Sequence, residues 1–452
     1  MSHSSRITIV TLAGLAGCFL NSWTGADVGD RFGFAVTGAG NIDWDAYDDF
    51  AVSAPYADGA GTNRGKVYVY KGNATLGTVA PTSADAAVLV GATDHERAGW
   101  SIAAGNFDGD SYTDFAVGAP YKVDASAQTT GAVYLIHGER VLDAFGSTFD
   151  LSDSDCIIYG TTNNDTFGWS LVAGDLDGNG TDDLVVGAPG KAGNVGMAYV
   201  FDTIDWTDCP TTSDAATVRD TAVAALGYSL AIAENWDGSG QNGLVIGAPL
   251  RNGSRGRAYL YGWAGSFGAA DKVWAGVTAG DRLGASVAAG DVNGDSAVDV
   301  LLGAPRADDG ANLDAGKVYV VAPATHPSGS VGSGAVSTHV FIGAAAGDQL
   351  GFTVAQGDLS SATAGTGAWA GAPYSDMGAS NGGAVFGADA TSIGGYPFPG
   401  VVVAYGSASS EVDGRSGWAL ADVGDVTAST EHAGVIGTPY GSGPGSIVVG
   451  GP

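Results

Sequence analysis

Residues 174–189 read GDLDGNGTDDLVVGAP. Asp175, Asp177, Asn179 and Asp183 place oxygen-bearing side chains at alternate points of a short loop, and an apolar run follows at once. The spacing of the first three suggests an EF-hand, but such a loop needs a bidentate Glu at its twelfth position and flanking helices. Here that region is LVVGAP, which reads as a strand. A dockerin reading of DVNGDSAVD at 291–299 fails for the same reason, since VLLGAP follows it.

The stretch is one of seven relatives. The triplet that ends it recurs with Pro55, Pro120, Pro189, Pro249, Pro305, Pro373 and Pro439. Before each lies a glycine-centred lead: GDRFGFAV, ERAGWSIA, DTFGWSLV, AALGYSLA, GDRLGASV, GDQLGFTV and GRSGWALA. After each comes an alternating segment, such as GKVYVY, GAVYLI and GRAYLY, and then a fourth apolar segment such as AAVLVGA, CIIYG or HVFIGA. Each repeat therefore predicts four short strands joined by tight turns, and internal repetition decides the architecture. Four strands in each of seven repeats predict an all-β, seven-bladed β-propeller of four-stranded blades. The last copy stops after its third strand. GADVGDRFG at 25–33 aligns with GAAAGDQLG at 343–351, so Phe19 to Thr24 are expected to supply the missing strand, closing the ring and removing an open edge.

The order of FG, acidic loop and GAP resembles the FG-GAP repeats of the seven-bladed propeller at the N-terminus of integrin α subunits and of many bacterial and archaeal surface proteins. The resemblance covers residues 19–452 as a single domain. It implies a Ca2+-binding adhesion module whose ligand and partner contacts lie on the face opposite the metal loops. This chain has no RGD motif.

Composition agrees with that architecture. Gly makes up 75 of 452 residues, charged side chains are 15%, and no run has sustained helical periodicity. The net charge of −30, from 48 acidic against 18 basic residues, argues against nucleic acid or an anionic membrane surface as partner. Cations are the natural counterpart.

In the third copy Gly180 permits the sharp reversal and Thr181 would contribute its backbone carbonyl to Asp175, Asp177, Asn179 and Asp183. The first copy has Asn41, Asp43, Asp45, Tyr47 and Asp49; the second has Asn106, Asp108, Asp110, Tyr112 and Asp114; the fifth has Asp291, Asn293, Asp295, Ala297 and Asp299. Carboxylates so closely spaced repel unless a cation neutralises them, and flexible oxygen donors suit Ca2+ better than Mg2+. About four Ca2+ per chain are expected. The fourth copy (Asn235, Asp237, Ser239, Gly243), the sixth (DLSSATAGTGAW) and the seventh (Asp425, Thr427, Ser429, Ala433) lack the full set and are expected to hold none.

The residue after the lead glycine is Phe34, Trp100, Trp169, Tyr228, Ala285, Phe352 and Trp418. Six aromatics of seven fit blade-to-blade packing or a ring facing a ligand. Tyr56, Arg64, His95, Glu96, Arg97, Tyr121, Lys122, Arg251, Arg255, Arg306 and Tyr374 fall in turns opposite the acidic loops, a candidate surface for a protein or carbohydrate ligand. HExxH is absent, and the six His have no metal-ligand spacing. A non-enzymatic module is the expectation. The alternatives are a hydrolase or lyase on the same scaffold and a purely structural surface component.

Residues 1–18 read as an export signal, and Leu15-Ala16-Gly17-Cys18 resembles a lipobox, which would make Cys18 a lipid anchor. The apolar stretch from Ile7 to Gly17 is too short to span a bilayer. An extracellular or cell-surface place follows, with a periplasmic one as the variant. Cys156 and Cys209 are free to pair or not as far as sequence goes.

Overall fold

The computed structural model describes residues 21–72, 86–325, 327–332, 336, 339–357, 367–376, 383–389, 401–405, 415, 418–422, 434–440 and 446–450. The signal and lipobox readings, and the sixth and seventh acidic loops, lie outside them. Among the described residues the strands form seven antiparallel four-stranded sheets, two of which gain a fifth, parallel strand. The first runs Val36–Gly40, Asp49–Ala54, Lys66–Tyr70, Ala86–Val90, with Thr148–Asp150 added at its outer edge. The third runs Ser170–Gly174, Asp183–Ala188, Met197–Phe201, Ala216–Arg219. The protein has an all-β propeller fold, and among the described residues its helices are short turns such as Gly138–Asp143.

The second strand of every repeat through the sixth is buried at all six positions, in sequences such as DLVVGA, GLVIGA and DVLLGA. Continuous burial matches a continuous apolar run, because both faces of the strand meet a neighbouring sheet. The third strands alternate in sequence yet are buried nearly throughout: Ala132–Ile136 at every residue, and Lys66–Tyr70 at all but its first. Their tyrosines fill the space between sheets.

Among the described residues, packing between sheets is organised in seven apolar clusters, each drawn from two consecutive sheets. Phe115, Val117 and Tyr134 of the second sheet meet Ala51, Val67 and Leu89 of the first. Phe50, Val52 and Tyr68 of the first meet Val435 and Ile447 of the last. The fourth strand beside Ser446–Gly450 is Asn21–Thr24, paired Asn21↔Val449 through Thr24↔Ser446. Trp23 on it is buried and lies 5.5 Å from the Phe50 ring and 5.8 Å from Tyr70.

Two devices hold sheets edge to edge at the lead glycine. The hydroxyls of Ser101, Ser170, Ser229 and Ser286 donate to the carbonyls of Gly168, Gly227, Gly284 and Gly351 in the next sheet, at 2.8–2.9 Å. The Gly of GAP faces the same carbonyl so closely that a Cβ on Gly187 would sit 2.1 Å from Gly227 O, and one on Gly437 would sit 2.0 Å from Gly33 O. A side chain at either position would push the sheets apart, and glycine stands there in six of the seven copies; the first copy has Ser53, whose buried hydroxyl accepts from Ala35 N at 3.0 Å.

The fifth strands Thr148–Asp150 and Gly329–Ser330 have no counterpart in the repeat pattern. They come from long connections that fold back on a neighbouring edge, a long-range choice with no periodic signal. Cys156 and Cys209 are disulfide-bonded, tying the outer strand of the second sheet to the connection after the third strand of the third.

Candidate metal centres and the opposite face

The acidic loops of the first five repeats join first to second strands, so they stand at one end of their sheets. In each full copy the last Asp opens the second strand and its side chain turns back to hold the loop. Asp49 accepts from Ile42 N at 2.8 Å and Gly72 N at 2.7 Å, and Asp114 from Phe107 N at 3.1 Å and Gly138 N at 2.9 Å. Asp183 accepts from Leu176 N at 2.6 Å and Asp177 N at 3.1 Å. Asp49, Asp114, Asp183 and Asp299 are buried, and desolvation pushes each carboxyl up to about 7, assisted by loop carboxylates such as Asp177 and Asp295.

The middle residues shape the turn by accepting from the backbone two residues on. Asp43 and Asp45 accept from Asp45 N and Tyr47 N, Asp108 and Asp110 from Asp110 N and Tyr112 N. Asp177 and Asn179 accept from Asn179 N and Thr181 N, Asn293 and Asp295 from Asp295 N and Ala297 N. The first-position residues brace the reversal. Asp175 receives Gly178 N at 2.6 Å and Gly180 N at 2.9 Å, Asp291 receives Ser296 N at 2.7 Å, Asn106 receives Gly109 N at 2.8 Å, and Asn41 Nδ2 donates to Asp45 O at 2.6 Å.

The donor sets converge unequally. Carboxylate oxygens of Asp175, Asp177 and Asp183 lie within 4.8 Å of one another. In the second loop, Asp108 and Asp114 converge with His137, whose Nδ1 is 3.3 Å from Asp108 and whose ring stacks on Trp206 at 3.8 Å. In the first loop, Lys71 Nζ stands 3.2 Å from Asp43 Oδ2. His137 and Lys71 come from the segment after the third strand, where counting loop positions does not reach.

The residues fit a divalent cation. Asp183 Oδ1, Asp299 Oδ2 and Asn41 Oδ1 are buried without any hydrogen-bond partner. A buried acceptor left unpaired costs on the order of 1–3 kcal/mol, more when charged, and a hard cation at the loop centre would satisfy it. The fourth loop differs physically as well as in composition. A Cβ on Gly243 would come 2.8 Å from the Trp236 ring, so the indole takes the space that the last Asp uses elsewhere. Neighbouring loops are also joined: Asp182 Oδ2 accepts from Asn106 N at 2.8 Å and Asn242 Nδ2 donates to Asp175 O at 2.6 Å.

The first strands run away from these loops to the lead glycines at the opposite face. There the rings of Phe34 and Trp100 are 4.7 Å apart, Trp100 and Trp169 4.9 Å, Trp169 and Tyr228 5.5 Å, Phe352 and Trp418 4.5 Å, and Trp418 and Phe34 5.8 Å. The collar packs sheet against sheet and also lines a central cavity of about 570 Å³. The packing reading of these aromatics is thus seen in the ring contacts, and the cavity is the place where a ligand-facing ring would act.

Part of the expected interaction surface is structural. Glu96 and Lys122 form a buried pair at 2.8 Å, with Tyr134 Oη donating to Glu96 at 2.8 Å. Arg64 is buried against Asp150 at 3.0 Å, and Arg251 pairs with Asp220 at 3.2 Å. These side chains hold turns in place, since a buried charge needs a partner. His95, Arg255 and Arg306 are exposed.

Residues 98–136, 167–201 and 283–321 match the FG-GAP repeat family, so the chain carries FG-GAP repeats in its second, third and fifth sheets. It is 31% identical to a bovine phosphatidylinositol-glycan-specific phospholipase D over 38% of this chain and 20% of that protein. It is 31% identical to integrin alpha-PS2 of Drosophila melanogaster over 36% and 12%, and 32% identical to integrin alpha-5 of Xenopus laevis over 38% and 16%. The chain thus spans a fifth or less of these relatives. A solved structure titled the Dos1 propeller aligns over 96% of each chain at 11% identity with a TM-score of 0.45, which adds nothing to the sheet topology above.

Proposed function

We propose that this chain is an exported, Ca2+-stabilised, seven-bladed propeller, closed by Asn21–Thr24 as the outer strand of the last blade, and that it acts as a non-enzymatic binding module at the cell surface. The seven sheets, the cluster joining the first to the last, and the strand pair at Asn21↔Val449 support the closed ring. The integrin α relatives support a protein-binding, adhesion-type role. The Cys156–Cys209 disulfide supports an oxidising compartment outside the cytosol.

The observation that carries the metal reading is the set of buried, unpartnered oxygens at Asn41, Asp183 and Asp299. About four Ca2+ would be held by the first, second, third and fifth loops, each cation offsetting carboxylates that burial otherwise protonates. The opposite face, with its aromatic collar and surrounding arginines, would receive a protein or carbohydrate ligand. No helix among the described residues is long and apolar enough to cross a membrane.

The test is capture from the native surface with calcium present, together with metal analysis of the dialysed protein. Recovery of a specific surface ligand and stoichiometric calcium supports the reading. A metal-free protein whose melting is indifferent to chelator removes the calcium part. The phospholipase relatives favour one second reading, a hydrolase on this scaffold; turnover of a phosphatidylinositol-glycan substrate by the full chain would establish it.

A further inference from the structure

The aromatic collar is broken once. Ala285 stands where six other sheets bring a ring, between Tyr228 and Phe352, and a cavity of about 570 Å³ opens at that place. Two arginines, Arg282 and Arg306, are among the residues that line it.

Elsewhere around the mouth, arginines are committed to tyrosines. Arg31 lies 3.8 Å from the Tyr56 ring and 4.5 Å from Tyr440; Arg97 lies 4.6 Å from Tyr56 and 4.4 Å from Tyr121; Arg415 lies 4.8 Å from Tyr374 and 4.3 Å from Tyr440. Each sits between the residue after the GAP proline of its own sheet and that of the preceding sheet, a cation–π arrangement. Arg282 has the same left-handed backbone, with φ of 59° against 59°, 55° and 58° for the others. Its two flanking positions, however, are Leu250 and Arg306. Tyrosine is missing from both, and a second cation replaces one of them.

Among the described residues neither Arg282 nor Arg306 forms an ion pair or lies over a ring. The adjacent acids are engaged elsewhere: Asp281 accepts from Thr278 N at 2.7 Å and Asp308 from Asp314 N at 2.9 Å. Two cations without an ion-pair partner line one cavity in a chain of net charge −30, a composition suited to an anion. Tyr228 and Phe352 bring aromatic residues to the same lining, and Asn194 and Gln349 bring residues able to donate and accept. The volume lies within the range of small-ligand pockets, roughly 300–1,000 Å³.

We propose that this gap binds an acidic saccharide, its carboxylate or sulfate held between Arg282 and Arg306 and its ring seated where Ala285 interrupts the collar. The proposal rests on the reading of this face as the binding face and names a ligand class for it. A carboxylate matches the bidentate guanidinium fork, and the amides suit hydroxyl groups.

The experiment titrates the full chain with glucuronate, galacturonate, glucose 6-sulfate, neutral glucose and free sulfate, by calorimetry and NMR. Expected is saturable binding of at least one charged sugar and of no neutral one. Arg282→Gln and Arg306→Gln should each lose at least about tenfold in affinity, the size of one charge-assisted contact. Ala285→Trp, which completes the collar, should abolish binding while leaving both cations. Arg219→Gln, an exposed cation on an outer strand, should change nothing. The carboxylated and sulfated arms identify the anion.

Failure of every charged sugar, equal binding of glucose, free sulfate as tight as the sugar, preference for an acidic peptide, or indifference to both arginine variants would each overturn the proposal. Unchanged melting temperatures show that the variants fold. Capture of a surface ligand by the Arg282→Gln/Arg306→Gln double variant would sink this inference while leaving the adhesion reading intact.

Discussion

The Ser170 hydroxyl donates to the carbonyl oxygen of Gly227 at 2.8 Å, across the boundary between two sheets that share no backbone hydrogen-bond ladder. The same bond recurs from Ser101, Ser229 and Ser286, so these serines clip successive sheets beside the lead glycines. Ser170→Ala should lower stability by about 1 kcal/mol, the usual net value of one such bond. Urea unfolding should show a lower midpoint with unchanged slope; an unchanged midpoint would mean that the clip contributes nothing.

Trp23 belongs to a strand paired with the last sheet while its ring packs on Phe50 and Tyr70 of the first. Trp23→Ala should cost about 3–5 kcal/mol, the range for a buried tryptophan. If the strand were an ornament on a ring held otherwise, thermal melting would hardly move.

Asp183 tests the metal reading through a change of sign. At pH 8 and without metal, its buried carboxylate is ionised above a folded pKa of about 7, which destabilises the fold. Asp183→Asn should therefore melt higher than wild type in chelator, and gain less from added Ca2+ by losing one site. A variant with the full calcium-induced shift would remove Asp183 from the ligand set.

Asp30 gives a pH signature away from the loops. Burial pushes its carboxyl up to about 6, with Asp27 and Asp58 adding repulsion, from an unfolded value of 3.8. Between those values the folded state holds the extra proton, so the stability that Asp30 contributes falls as pH rises from 3.8 through about 6. The stability of wild type minus that of Asp30→Asn should decline across this window and level off above it. Chemical denaturation at pH 4, 5, 6 and 7 measures it, and a flat difference would contradict the assignment.

Repeat spacing makes most of the fold legible. Each strand pair is local, and GAP with its lead glycine marks both ends of the first hairpin, so the seven sheets and their order follow from the spacing of these motifs. The acidic loops are legible for the same reason: their donors lie within nine consecutive positions. His137 and Lys71 are not, because they reach Asp108 and Asp43 from strands away. The buried pair of Glu96 and Lys122 reads as surface in the sequence, since nothing in a turn distinguishes an exposed charge from one paired beneath a neighbouring sheet.

Sequence alone thus determined what is contiguous: seven hairpins, four full sets of acidic donors, six aromatics and one alanine at equivalent positions. Tertiary structure decided what neighbours do to one another. Only packing shows that Gly437 must admit the carbonyl of Gly33, that Asp183 and Asp299 bury an unpartnered oxygen, and that Arg31, Arg97 and Arg415 rest on tyrosines of adjacent sheets. Arg282 looks identical to them in its own repeat. It differs because its neighbours are Leu250 and Arg306, and the electrostatics of a cation depend on what lies across the boundary rather than beside it in the chain.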